Sequence, residues 1–136
     1  MRIGLLASNA ALAEYFVTAL GIADHLVTLY PARQDLVWAL TAAASLQGGA
    51  PHEVLLLELI LDASGRQLLA NLSGLAKELG LPIIILTTAG RDAIVLAQAA
   101  FPELCLRQLP IPLSTLLALI QAQSQSVSSA SLSFSE

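Results

Sequence analysis

Short apolar runs alternate with longer segments of helical spacing along this chain. Ile3–Leu6 is the first run, and it passes into Ala10–Leu20, where Leu12, Phe16, Ala19 and Leu20 fall on one face of a 3.6-residue period. Gly21 is placed to end that helix. The second run, His25–Tyr30, is β-branched and aromatic enough for a strand, with Pro31 as its stop. Helical spacing returns over Asp35–Leu46 through Leu36, Ala39, Leu40, Ala43 and Leu46, and Gly48–Gly49 close the segment. Val54–Leu59 is the strongest strand signal. The turn Asp62–Ala63–Ser64–Gly65 then leads into a helix striped by Leu68, Leu72, Leu75 and Leu79, with Gly80 as its left-handed cap.

Pro82–Thr87 predicts a fourth buried strand, and Asp92 is positioned to cap a helix running to about Ala100, which Phe101–Pro102 terminate. A short fifth strand over Leu104–Gln108 leads through Pro110 and Pro112 to Ser114, an N-cap for a last helix bearing Leu116, Leu117 and Ile120. The serine-rich remainder, Ser124–Glu136, has few apolar anchors and predicts a disordered tail, which leaves one domain over residues 1–123. Five strands alternating with five helices predict a flavodoxin-like (βα)5 three-layer α/β sandwich, its parallel five-stranded sheet in the order 2-1-3-4-5. Ligands in such sheets sit beyond the C-terminal strand ends near the reversal between strands one and three. That directs attention to Ala7–Ser8–Asn9, Glu58, Thr87–Thr88 and Leu109.

Composition sharpens this picture. The chain is 56% hydrophobic and 12% charged, with a mean hydropathy of +0.74, a value that would suit a membrane protein. A spanning helix needs about 18 or more uninterrupted apolar residues, and the longest run, Val54–Leu61, is broken by Glu58. No membrane span is therefore expected; strands buried on both faces account for the apolar content. Six basic against ten acidic side chains, a net charge of -4 and a single lysine, Lys77, argue against nucleic-acid binding, which needs clustered cations. Cys105 is the only cysteine, and with His25 and His52 far apart it makes no zinc pattern, so neither a disulfide nor a bound metal or other cofactor is expected. Met1–Leu6 is too short for a signal peptide, which predicts a cytoplasmic protein.

From Arg2 to about Gln123 the chain resembles the receiver domains of response regulators in two-component signalling. Glu53–Leu59, with Gly65 as the loop glycine, is similar to the segment around the phosphoacceptor. Pro82–Thr87 resembles the fourth strand that ends in the switch hydroxyl, and Leu109–Pro110–Ile111 falls where that family has Lys-Pro-Phe. The resemblance implies the receiver fold, yet the residues depart from its chemistry. Receiver phosphorylation uses a nucleophilic Asp, two strand-one acids that hold Mg²⁺, a hydroxyl and a lysine. Here Glu58 stands at the phosphoacceptor position, Ala7 and Ser8 at the acids, Leu109 at the lysine, and Thr87 alone keeps the hydroxyl. Magnesium is anchored by carboxylates and transferred phosphoryl oxygens need a cation. The expectation is a non-phosphorylatable pseudo-receiver, with no catalytic residue and no enzymatic activity. A phosphoacceptor receiver with an atypical site is the alternative. Glu58 is either a mimic of phosphoaspartate beside Thr87 or an acid left at a strand end in contact with water.

A protein-binding role then rests on surfaces. Strand two, His25, Leu26, Val27, Thr28, Leu29 and Tyr30, is an edge with no internal proline and no charge other than His25, open to strand addition by a protein partner. Receivers also bind through the face of helix four, strand five and helix five, here around Arg91, Ile94, Gln98, Arg107 and Gln108. Trp38 lies off its helix stripe and is either a candidate interface anchor or a side chain folded back onto its own helix. Pseudo-receivers at the C-terminal end of cyanobacterial circadian input hybrid histidine kinases are similar in their lost acidic site. That similarity implies attachment to a histidine kinase, circadian signalling and docking on a thioredoxin-like, fold-switched clock protein. An apolar small-molecule sensor, of a quinone for example, is the remaining alternative and would need an apolar pocket.

Overall fold

The computed structural model describes residues 1–46 and 50–123. The expected Gly48–Gly49 closure and the Ser124–Glu136 tail lie outside the described residues. The elements run β1 (Arg2–Leu6), α1 (Ala10–Ile22), β2 (Leu26–Leu29), α2 (Arg33–Leu46), β3 (Val54–Glu58), α3 (Ala63–Leu79), β4 (Ile83–Thr87), α4 (Arg91–Ala100) and β5 (Cys105–Gln108). A fifth helix, α5, covers 113–123. All strand pairs are parallel and the order is β2-β1-β3-β4-β5, the order the alternation of runs predicts. No helix among the described residues is long and apolar enough to cross a membrane.

The sheet has two apolar faces because β3 and β4 are buried at every position. Leu55, Leu57, Ile83 and Ile85 meet Leu36, Leu40, Leu68, Leu69 and Leu72 on the α2–α3 side. Ile3, Leu5, Leu56 and Leu86 meet Phe16, Leu20, Leu116 and Ile120 on the α1–α5 side. Alternate residues of one strand thus feed opposite cores, which is why these strands lack any polar alternation.

Several boundaries differ from the sequence-based expectation, each for a local reason. α1 passes through Gly21 to Ile22, and Asp24 takes the left-handed turn (φ 67°) instead; Asn9 starts this helix, accepting from the Leu12 N–H at 2.8 Å. β2 is shorter than His25–Tyr30, and α2 begins two residues before Asp35, so Asp35 lies in its first turn, where a negative charge meets the helix dipole. Asp62 is the N-cap of α3 and accepts from the Gly65 N–H at 2.7 Å, so Gly65 belongs to the helix and not to a loop. A Cβ at Gly65 would lie 2.0 Å from the Ile60 carbonyl oxygen, which is why glycine stands there. Gly80 takes the left-handed cap as expected (φ 61°). Asp92 does not cap α4; Gly90 does, with no side-chain bond. Ser114 is inside α5, which starts one residue earlier.

Candidate functional site

The C-terminal strand ends bring Ser8, Glu58 and Arg33 to one cleft of about 220 Å³, bounded by Leu6, Ala7 and Pro31. Glu58 ends β3 and is only 5% exposed. Its Oε1 accepts from the Ser8 N–H at 2.8 Å and, more closely still, from the Ser8 hydroxyl. A buried carboxylate is costly unless hydrogen-bonded, and two donors from one residue of the β1–α1 loop meet that need. The loop is thereby latched to the end of β3.

Of the two expectations for Glu58, neither describes what the fold does. The carboxylate is not a water-facing remnant, since it is buried. Its bonds go to Ser8, whereas the fully buried Thr87 uses its Oγ1 to accept from the Ala89 N–H at 3.2 Å. Acid and switch hydroxyl sit at the ends of neighbouring strands with separate partners. Leu109, at the lysine position, gives its N–H to the Thr87 carbonyl at 2.7 Å and packs into the α1–α5 core.

The magnesium of ordinary receivers does not fit this donor set. Asn9 spends its side-chain oxygen on the α1 cap, Ala7 has none, and Glu58 is the one carboxylate in the cleft, with one oxygen already engaged. Magnesium keeps an octahedron of oxygens anchored by carboxylates. No group of three or more His, Cys, Asp or Glu is gathered for a metal among the described residues. Arg33 on the rim donates to the Ser64 hydroxyl at 2.5 Å and so joins the start of α2 to the start of α3.

The two edges of the sheet are treated differently. At β5, the Gln98 side chain accepts from the Leu106 N–H at 2.9 Å and donates to the carbonyls of Leu104 (2.6 Å) and Phe101 (3.2 Å), covering the edge. Of the α4–β5 residues, Gln98 is therefore engaged internally and Ile94 packs on the core. Arg91, Arg107 and Gln108 are exposed, Arg107 donating to the Leu106 carbonyl and Gln108 to that of Ala89. The exposed apolar side chains of α4 are Val95 and Leu96. At β2, Leu26 and Leu29 are 72% and 47% exposed, Val27 and Tyr30 are half-buried, and Thr28 is exposed. His25, half-buried, has an Nδ1 with no hydrogen-bond partner among the described residues. Trp38 projects from α2 into solvent.

Sequence reasoning missed Ser8 as the partner of Glu58, and it missed a second buried pair. His52 is buried in front of β3; its Nε2 meets the Tyr30 hydroxyl at 2.5 Å, with the rings edge-on. A Cβ at Gly4 would lie 2.7 Å from the His52 Cδ2, so the pair occupies the space that glycine leaves. A glycine inside a strand pattern was the available signal, since it marks close approach. Burial, and then Arg2, push the His52 imidazole below its ordinary value. Burial raises the half-buried Cys105 thiol, more than Arg107 lowers it, so a reactive thiolate is disfavoured.

No protein-family model matches the sequence, and no curated protein matches it. Solved structures do match in fold. The signal receiver domain of a Luxo repressor protein from Vibrio parahaemolyticus superposes with a TM-score of 0.74 at 16% identity, over 96% of this chain and 95% of that one. The receiver domain of the Francisella response regulator 1452 gives 0.70 at 12% identity, over 92% and 97%. A pilus assembly-related protein from Burkholderia pseudomallei gives 0.72 at 15% identity, over 92% and 90%. These likenesses establish a receiver fold.

Proposed function

We propose that this receiver-fold domain is a pseudo-receiver: a signalling module that does no phosphotransfer and acts by docking a protein partner on the open β2 edge. The Glu58–Ser8 latch is the observation that carries the first half. The acid at the phosphoacceptor position is buried and hydrogen-bonded to the residue that replaces a metal-binding acid, and no lysine faces it. A carboxylate so held is neither metal-activated nor poised for attack on phosphorus. The second half is supported by the contrast between a β5 edge covered by Gln98 and a β2 edge that is uncharged and bare. The similarity to circadian input kinases also implies a thioredoxin-like clock protein among the domain's partners.

Amide spectra of the labelled chain before and after adding magnesium with beryllofluoride test the first half. Glu58, Thr87 and their neighbours should stay unmoved; specific, saturable shifts there would make the chain a phosphorylation switch with an atypical site. For the second half, Val27→Pro should abolish partner binding while Arg107→Glu leaves it intact, and the reverse outcome moves the site to the α4–β5 face. One observation favours a second reading, an apolar small-molecule sensor. Ala11, Tyr15, Ala19, Ile22 and Leu113 line an apolar groove of about 530 Å³ between α1 and the start of α5. Titration with a soluble quinone, followed by shifts at Tyr15, tests it.

A further inference from the structure

Resting on the edge-docking reading above, we infer that the occupant of the β2 edge is a second copy of this chain, paired antiparallel about a twofold axis at Thr28. The backbone dictates the register. Leu26 and Tyr30 give their N–H groups to the carbonyls of Met1 and Leu5, at 2.9 Å each. Because successive residues of a strand direct their hydrogen-bonding groups to opposite sides, Leu26, Thr28 and Tyr30 face β1, while Val27 and Leu29 present theirs to solvent.

An isologous pair must set residues of the same face opposite one another. Centred on Thr28, it aligns Val27 with Leu29 of the second copy and Leu29 with Val27, and each such pair exchanges both of its N–H···O=C bonds. No free donor or acceptor of the strand is then left over. Centring on Val27 would need the His25 N–H, which already goes to the Leu20 carbonyl at 3.0 Å. Centring on Leu29 would set Val27 against Pro31, which has no N–H.

Side chains agree with this register. Val27 and Leu29 lie on the α1 side with their pairing partners Ile3 and Leu5, and would meet across the axis. Leu26 would lie beside Tyr30 of the second copy, and Thr28 beside its own counterpart. Inversion of the strand also carries the exposed Asp24 of each copy to the end of the pair remote from the other's Asp24. A parallel alignment of the two strands would set Asp24 beside Asp24.

Sedimentation of the native chain over a concentration series should show monomer passing to dimer. Thr28→Lys sets like charges on the axis and should abolish the dimer, whereas a foreign partner on the same edge would meet a single lysine. In a Cys105→Ala background, Thr28→Cys should cross-link on mild oxidation, because opposed residues of a non-hydrogen-bonded pair have Cα atoms about 4.5 Å apart, within the roughly 4.4–6.8 Å range of disulfides. Leu26→Cys in the same background should dimerise without cross-linking. A chain that remains monomeric and unlinked overturns the homodimer, as does a dimer that survives Thr28→Lys or cross-links equally through both cysteines. Edge docking by a different protein survives that failure. It falls instead when Val27→Pro leaves partner binding unchanged.

Discussion

Ser8→Ala removes the hydroxyl that Glu58 holds but leaves the Ser8 N–H in place, so it isolates one strut of the latch. A hydrogen bond to a charged group contributes roughly 1.5–3 kcal/mol. Ser8 is exposed although Glu58 is not, so water can take over part of the lost bond, and the expected destabilisation is about 1–1.5 kcal/mol. In a domain of this size that lowers Tm by about 3–8 °C. Glu58→Gln keeps the shape and an acceptor oxygen while removing the charge. If the two side chains act on one another, the double variant should lose about 0.5–1.5 kcal/mol less than the sum of the single variants. Urea unfolding followed by circular dichroism at neutral pH measures all four corners of the cycle. A coupling within about 0.3 kcal/mol of zero would refute the latch, because hydroxyl and carboxylate would then be stabilised by separate surroundings.

Three further outcomes follow from the packing. Gly65→Ala forces a Cβ against the Ile60 backbone carbonyl and should cost about 3 kcal/mol, with unfolding at lower urea as the readout. Gln98→Ala should cost about 1–3 kcal/mol and raise the hydrogen-exchange rate of the Leu106 amide; unchanged exchange would mean that Gln98 does not cover the β5 edge. His52 and His25 are both held below the ordinary value of 6.5, chiefly by burial. The unfolded chain therefore binds more protons than the folded one below about pH 6.5, so stability is full above that pH and falls as pH drops toward the folded-state values. A His52 ring titration with its midpoint at or above 6.5 would contradict this.

The order of elements and their assembly into a doubly wound sheet were legible from the spacing of apolar residues. Strands such as Ile83–Thr87 and Val54–Glu58 are buried on both faces, and only a sheet covered twice leaves such unbroken runs. The residues on which the proposed loss of receiver chemistry rests were also legible, since Ala7, Ser8 and Leu109 depart by residue type and not by their contacts. Boundaries were less so. The Asp62 cap and the first turn of α3 read as one turn because Asp, Ser and Gly serve caps and turns alike.

Spacing along the chain has no access to which groups meet across it. Glu58 and Ser8 are joined by the parallel register of β1 and β3, and Tyr30 reaches His52 across β1 because Gly4 leaves room. The open and covered edges likewise emerge from long-range placement, as Gln98 of α4 folds onto β5 while no hydrogen bond in the described chain goes to the outward N–H and C=O groups of Val27 and Leu29. Periodicity is a local property, expressed wherever an apolar face must be buried. The partner of a buried carboxylate or of a strand's outer edge is decided only when distant segments are brought into contact.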